Sequence, residues 1–235
     1  MSERISAGRF TLAVAAALAI GTGAGFFIDR ALPDDSVREY LLENPEILPE
    51  MVQALQTKDA REQLADIRGD LETPFPGAVL GNPSGNVTLV EFTDYACTYC
   101  RASFANVQQL IEANPDLRVV IREWPILSED SAAAARMALA AARQGKYGAF
   151  HRAMYEVDAP AGEAIAIAAR RAGLDMVQVE KDIADPAIEA ELQESSTLAR
   201  RMGFDGTPAW VVGDTVLAGA VDRETLADAI QSARE

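Results

Sequence analysis

Histidine occurs once and cysteine only twice among the 235 residues, and that scarcity removes whole classes of site. A closed zinc centre needs four nitrogen or sulfur ligands, usually two cysteine pairs or one pair with histidines. The lone His151 lies in an alanine-rich stretch far along the chain from Cys97 and Cys100, so neither a structural metal nor any other cofactor is expected, and His151 reads as a hydrogen-bonded helix residue. Basic residues are also short, with 21 Lys and Arg against 36 Asp and Glu and a formal net charge of −15. Phosphate backbones repel such a surface, which argues against nucleic acid as a partner. Internal repeats are absent, as is any low-complexity tract beyond an alanine bias.

What is present is concentrated in "DYACTYCR", which holds both thiols, Cys97 and Cys100. A disulfide across two intervening residues constrains the unfolded chain very little, so a structural staple gains almost nothing. A redox pair remains, with a two-thiolate Cu(I) site as the alternative, because soft thiolates select that metal. The flanking sequence favours the redox pair. Val87, Leu89, Val90 and Phe92 form a short apolar, β-branched run that predicts a buried strand. Phe104, Val107, Leu110 and Ile111 recur at helical spacing until Asn114-Pro115 ends the helix. "LRVVIREWP" then predicts a second strand. The thiols therefore stand where a strand turns into a helix within a βαβ unit, the setting of a thioredoxin-like Cys-x-x-Cys. Unpaired N–H groups at a helix N-terminus favour an anion, and the thiolate is the reactive form. Cys97 is thus expected to attack, and Cys100, one turn inward, to resolve the mixed disulfide.

Further along, Trp210-Val211-Val212 and Thr215-Val216-Leu217 flank Gly213-Asp214, the pattern of a tight hairpin. Thr207-Pro208 opens it, at a strand start where proline is tolerated. Asp222 is expected to cap a last helix that presents Leu226, Ala229 and Ile230. Between Glu123 and Pro208 the pattern is almost wholly helical, with Asp185 as a cap and Pro186 in the first helical position. Trp124 and Trp210 read as packing residues.

"VEFTDYACTYC", the threonine-proline of "GTPAWVV" and the helical block between them resemble the DsbA-type branch of the thioredoxin superfamily. The resemblance covers about residues 74–235. It implies an α/β thioredoxin fold with a helical insertion at about 128–204 and an enzyme of thiol-disulfide exchange, oxidase or isomerase, acting on protein thiols or disulfides. It also implies a membrane redox partner that recycles the pair. By the same resemblance Pro208 is cis and faces the pair, the Thr207 backbone pairs with an extended client segment, and Glu91, six residues before Cys97, is a buried acid. Its place between Val90 and Phe92 favours burial and a proton-relay role over a strand residue that simply faces solvent. Thr98 and Tyr99 replace the proline-histidine of the strongest oxidants. Tyr99 either faces solvent or touches the client.

Phe10 to Ile28 is uncharged, follows Arg4 and Arg9, and has the length to span a bilayer. Residues 1–33 are therefore expected to be a signal-anchor holding the enzyme on the periplasmic face of the inner membrane of a bacterial envelope, with a cleaved signal peptide as the alternative. Residues 34–73 predict a helical stalk: a short helix marked by Val37, Tyr40 and Leu41 and ended by Asn44-Pro45, then a longer one carrying Leu48, Met51, Val52, Leu55, Ala60, Leu64, Ile67 and Leu71. "VREYLLENPEILPEMVQAL" resembles the N-terminal segment of ScsC-like proteins, which implies a possible homo-oligomer.

Overall fold

The computed structural model describes residues 35–157 and 159–234. The chain divides into two compact units, Met1–Leu55 and Gln56–Glu235. The expected membrane helix lies outside the described residues; among those described, no helix is long and apolar enough to cross a membrane.

In the first unit, helix α1 (Asp35–Glu43) stops at Asn44, whose φ of −124° and ψ of 64° lie outside the helical region. Pro45 enforces this, because its ring disfavours the helical conformation in the residue before it. Asn44 closes the helix by donating its backbone N–H and its side-chain amide to the Tyr40 carbonyl. A 3-10 turn (Pro45–Ile47) leads into helix α2 (Leu48–Leu64). Val37, Tyr40, Leu42, Leu48, Met51, Val52 and Leu55 are all exposed. Among them opens an apolar cavity of about 600 Å³, bounded by Leu41, Leu42, Pro45 and Leu48.

The apolar positions of residues 34–73 divide at this point. Those through Leu55 face solvent, save the half-buried Leu41, whereas Ala60, Leu64, Ile67 and Leu71 are buried. The single long helix expected here is in fact two, since α2 ends at Leu64 and α3 (Arg68–Glu72) follows a turn. Tertiary bonds accompany the break: Arg68 donates to the Gly213 carbonyl at 2.7 Å and to Asp214 at 2.6 Å, while Arg61 meets the other oxygen of Asp214. Gly69, a poor helix former, offers little resistance.

The second unit is built on a five-stranded sheet in the order β1-β3-β2-β4-β5. Strands β2 (Val87–Thr93) and β3 (Leu117–Glu123) run parallel and are joined through helix α4 (Thr98–Ala113), the expected βαβ unit. Strand β4 (Ala209–Val212) pairs antiparallel with β2, and β5 (Thr215–Ala218) closes the hairpin through Gly213-Asp214. Gly213 has φ +54°, which a two-residue hairpin turn requires and glycine supplies without steric cost. Strand β1 (Val79–Gly81), antiparallel to β3, was not expected.

Alternation along the strands sends side chains to two cores. Leu89, Val119, Ile121, Trp210 and Val212 pack on one face with α4, with α5 (Glu129–Arg143) and α6 (Tyr147–Tyr155), and with the last helix α10 (Arg223–Ser232). Val90, Phe92, Val120 and Val211 pack on the other with Leu64, Ile67, Leu71 and the end of α9 (Pro186–Arg201). Helices α5 to α9, including α7 (Gly162–Arg171) and α8 (Met176–Ile183), form the helical insertion. Asp185 and Asp222 cap their helices as expected, and Trp124 and Trp210 are core residues. Arg122, pointing to the second face, is 1% exposed. It pairs with Glu191 of α9 at 2.7 Å and donates to the carbonyls of Asp70, Leu71 and Thr73.

Candidate active site

The site forms where β2 ends. Asp94 folds the chain back: its carbonyl accepts from Cys97 N at 3.0 Å and its Oδ1 from Ala96 N at 2.7 Å. Cys97 then occupies the N-cap of α4, with the extended backbone an N-cap needs, and its sulfur accepts from the Cys100 N–H at 3.4 Å. A sulfur so placed receives the unpaired N–H groups and the positive end of the helix dipole. Cys97 Sγ also donates to the Thr207 carbonyl at 3.2 Å, and the Thr207-Pro208 bond is cis. Residues 110 positions apart are thus brought together by the pairing of β4 with β2.

The two sulfurs differ sharply in environment. Both are reduced and buried, yet Cys97 keeps 6% exposure and Cys100 none. Burial pushes the Cys100 thiol far up, with the Asp94 backbone N–H opposing. Thr98 and Tyr99 face solvent, Tyr99 with 64% exposure. Glu91 is 2% exposed, and burial raises its carboxyl to about 8, partly offset by the Thr93 hydroxyl. Its charge raises the Cys100 thiol in turn, so the two groups feel each other.

Other residues here escaped the sequence reading. Asp94 Oδ2 accepts from the N–H groups of Ile126 and Leu127 at 2.8 and 3.0 Å, tying the loop after β3 to the Cys97 turn. Ile126 and Leu127 are themselves exposed apolar residues beside that turn. Glu123, at the end of β3, is buried, and its Oε1 accepts from the hydroxyls of Tyr95 and Tyr147. His151, on α6 as expected, is buried in the same aromatic cluster, with Nδ1 at 2.9 Å from the Tyr95 hydroxyl. Burial drives its imidazole down to about 3. The sequence signal available for these groups was an ionisable residue within an apolar strand or an alanine-rich helix face.

A sulfur capping a helix tip, a fully buried second sulfur one turn on and a cis-proline loop bonded to the first define a thioredoxin-fold thiol-disulfide oxidoreductase. The comparisons with known proteins agree. Residues 88–231 match the DSBA-like thioredoxin domain, and the chain belongs to that family. Residues 34–62 match the copper resistance protein ScsC N-terminal domain. Among solved structures, a thioredoxin-like oxidoreductase from Silicibacter pomeroyi is 48% identical, with 66% of this chain and 91% of that one covered and a TM-score of 0.64. The thiol-disulfide exchange protein alpha-DsbA2 from Wolbachia pipientis is 31% identical over 75% and 95% of the two chains, TM-score 0.67. Proteus mirabilis ScsC in a transitional conformation is 31% identical over 90% and 97%, TM-score 0.66. The chain also matches the Na(+)/H(+) antiporter NhaA of Herminiimonas arsenicoxydans, at 28% identity over 74% of its own length. It spans only 28% of that relative.

Proposed function

We propose that this enzyme forms or reshuffles disulfides in cell-envelope proteins through Cys97 and Cys100. In the oxidising direction a client thiolate attacks Cys97 Sγ of the protein disulfide. The sulfur–sulfur bond breaks, and its electron pair leaves on Cys100, which takes a proton from Glu91. A second client thiolate then attacks the client sulfur of the mixed disulfide, and Cys97 departs as the thiolate. The client loses two electrons and the protein pair gains them. The observation that carries this reading is the contrast between Cys97, capping α4 and bonded to the Thr207 carbonyl, and Cys100, wholly buried behind it. The Thr207 carbonyl releases its sulfur partner when Cys97 ionises and is then available to an extended client backbone. Tyr99, with Ile126 and Leu127, offers apolar surface for the client's flanking residues.

Exposed apolar side chains along residues 37–55 support a role for the first unit in bringing copies of the chain together. Several Cys97 sites around one client would raise the effective concentration for reshuffling wrong disulfides. Residues 1–33 serve in this reading as an export signal or an anchor at the periplasmic side of the inner membrane, and a membrane redox partner recycles the pair.

The test is mixed-disulfide trapping. Cys100→Ala accumulates covalent client adducts through Cys97, and Cys97→Ala accumulates none. Equal trapping by both variants would overturn the assignment. Copper stoichiometry after purification separates this enzyme from a Cu(I) carrier using the same two thiols.

A further inference from the structure

We propose that Glu123 is a second proton-holding carboxyl of the disulfide site, a positioning residue that acts through Glu91. The inference rests on the proton role given to Glu91 above.

Glu91 and Thr93 point to the same face of β2, being two residues apart. In the parallel register Thr93 lies opposite Glu123 and Glu91 opposite Ile121. Glu123 is therefore the diagonal neighbour of Glu91 on the face that also receives Cys100. Both carboxyls are buried, at 1% and 2% exposure. The groups facing Glu123 are Glu91 on β2, Asp94 and Tyr95 in the turn after it, and Tyr147, His151 and Tyr155 on α6.

The hydrogen-bond count gives the carboxyl its function. Tyr147 Oη is 2.7 Å from Glu123 Oε1, and Tyr95 Oη is 2.9 Å from it. A phenol has one hydrogen, so when both donate to Oε1, His151 Nδ1 carries the imidazole hydrogen and gives it to Tyr95 Oη at 2.9 Å. Every polar atom on the Oε1 side is then satisfied with Glu123 ionised. Oε2 is buried and has no partner. A proton can be added there or removed without moving any of the other hydrogen bonds, so the carboxyl changes charge while the cluster keeps its geometry. Burial raises Glu123 to about 8, against the two tyrosine hydroxyls, the same value to which it raises Glu91, so the two carboxyls release their protons over one pH range and whichever ionises first opposes the other.

The consequence falls on Glu91. When it protonates the departing Cys100 it becomes an anion in a buried site. A neutral Glu123 leaves that anion unopposed, whereas an ionised Glu123 repels it. The protonation of Glu123 thus sets the pH at which Glu91 can let its proton go.

The experiment is the pH profile of kcat/KM with a reduced protein client, measured for wild type, Glu91→Gln, Glu123→Gln and the double variant. Glu91→Gln removes the limb that reports Glu91. Glu123→Gln keeps the Oε1 acceptor and holds the position neutral, so the limb moves to lower pH by about one unit, and the double variant matches Glu91→Gln. An unmoved limb in Glu123→Gln, with Glu91→Gln behaving as stated, overturns the inference and leaves the Glu91 reading intact. A limb that survives in Glu91→Gln overturns both. Tyr147→Phe, which retains the ring and removes one donor to Oε1, covers a Glu123→Gln variant that does not fold. It destabilises the Glu123 anion and moves the limb the same way by a smaller amount, and an unmoved limb there also overturns the inference. The infrared difference spectrum between reduced and oxidised protein is expected to contain protonated-carboxyl intensity from both Glu91 and Glu123, part of it removed by each single Gln variant; a spectrum that Glu123→Gln leaves unchanged counts against the assignment.

Discussion

Replacing Glu91 with Gln is expected to stabilise the reduced protein while slowing it as an enzyme, and the gain in stability grows with pH. Burial raises the Glu91 carboxyl from 4.5 to about 8. Between these values the folded chain keeps the proton and the unfolded chain has lost it. The folded state therefore binds more protons, and stability falls as pH rises through the window. Below pH 4.5 both states are protonated and the cost disappears. One pKa unit corresponds to about 1.4 kcal/mol, so the carboxyl costs the native state about 3 kcal/mol at pH 7 and about 5 kcal/mol once the folded group has ionised. Glutamine occupies the same volume, retains an acceptor for the Thr93 hydroxyl and has no proton to lose. Urea unfolding of reduced wild type and Glu91→Gln at about pH 4.5, 7 and 8.5 measures the difference directly. The variant is expected to match wild type at the lowest value and exceed it by about 3 kcal/mol at neutrality. A difference that stays constant across the three values would refute the reasoning, as would a variant less stable at pH 7.

Arg122→Met is expected to cost about 3–5 kcal/mol, read by the same denaturation, because Glu191 is left buried and unpaired. Adding Glu191→Leu recovers only part of that, since the carbonyls of Asp70, Leu71 and Thr73 still lack their donor. Asp94→Asn places an amide against the N–H groups of Ile126 and Leu127. It is expected to raise KM for an unfolded protein client about thirtyfold, at roughly 1 kcal/mol for each of the two lost bonds, more than it alters exchange with a small dithiol. Removing residues 34–55, which spares the buried Leu64, Ile67 and Leu71, is expected to turn a self-associated species into a monomer in sedimentation; an intact chain already monomeric removes the oligomer from the proposal.

The parts of the fold that could be read from sequence are those specified by neighbours in the chain. The βαβ unit follows from two apolar runs around a helical period, the hairpin from Gly213-Asp214, and the helix starts from Asp185 and Asp222. The position of Cys97 at a helix tip follows from the same local pattern. Strand β1 escaped because three residues cannot display an alternation, and its place is decided by pairing with β3. The break after Leu64 escaped because its tertiary bonds to Gly213 and Asp214 lie about 150 residues away in the chain. The cluster of Tyr95, Glu123, Tyr147 and His151 is assembled from a turn, a strand end and a helix. Of the four only His151 stood out in sequence, as a hydrogen-bonded helix residue, and it is their convergence in space that sets out the shared hydrogens.

The outer strands of the sheet have a bearing on the company this protein keeps. Unfolded polypeptides add readily to an open sheet edge, where each unpaired N–H and C=O is a template for another strand. Here the two edges are β1, three residues long, and β5, four residues long. A client chain that strayed onto either could form only a few ladder bonds before running out of partner. Such an encounter is short-lived, so neither edge holds a stray strand for long against the sheet.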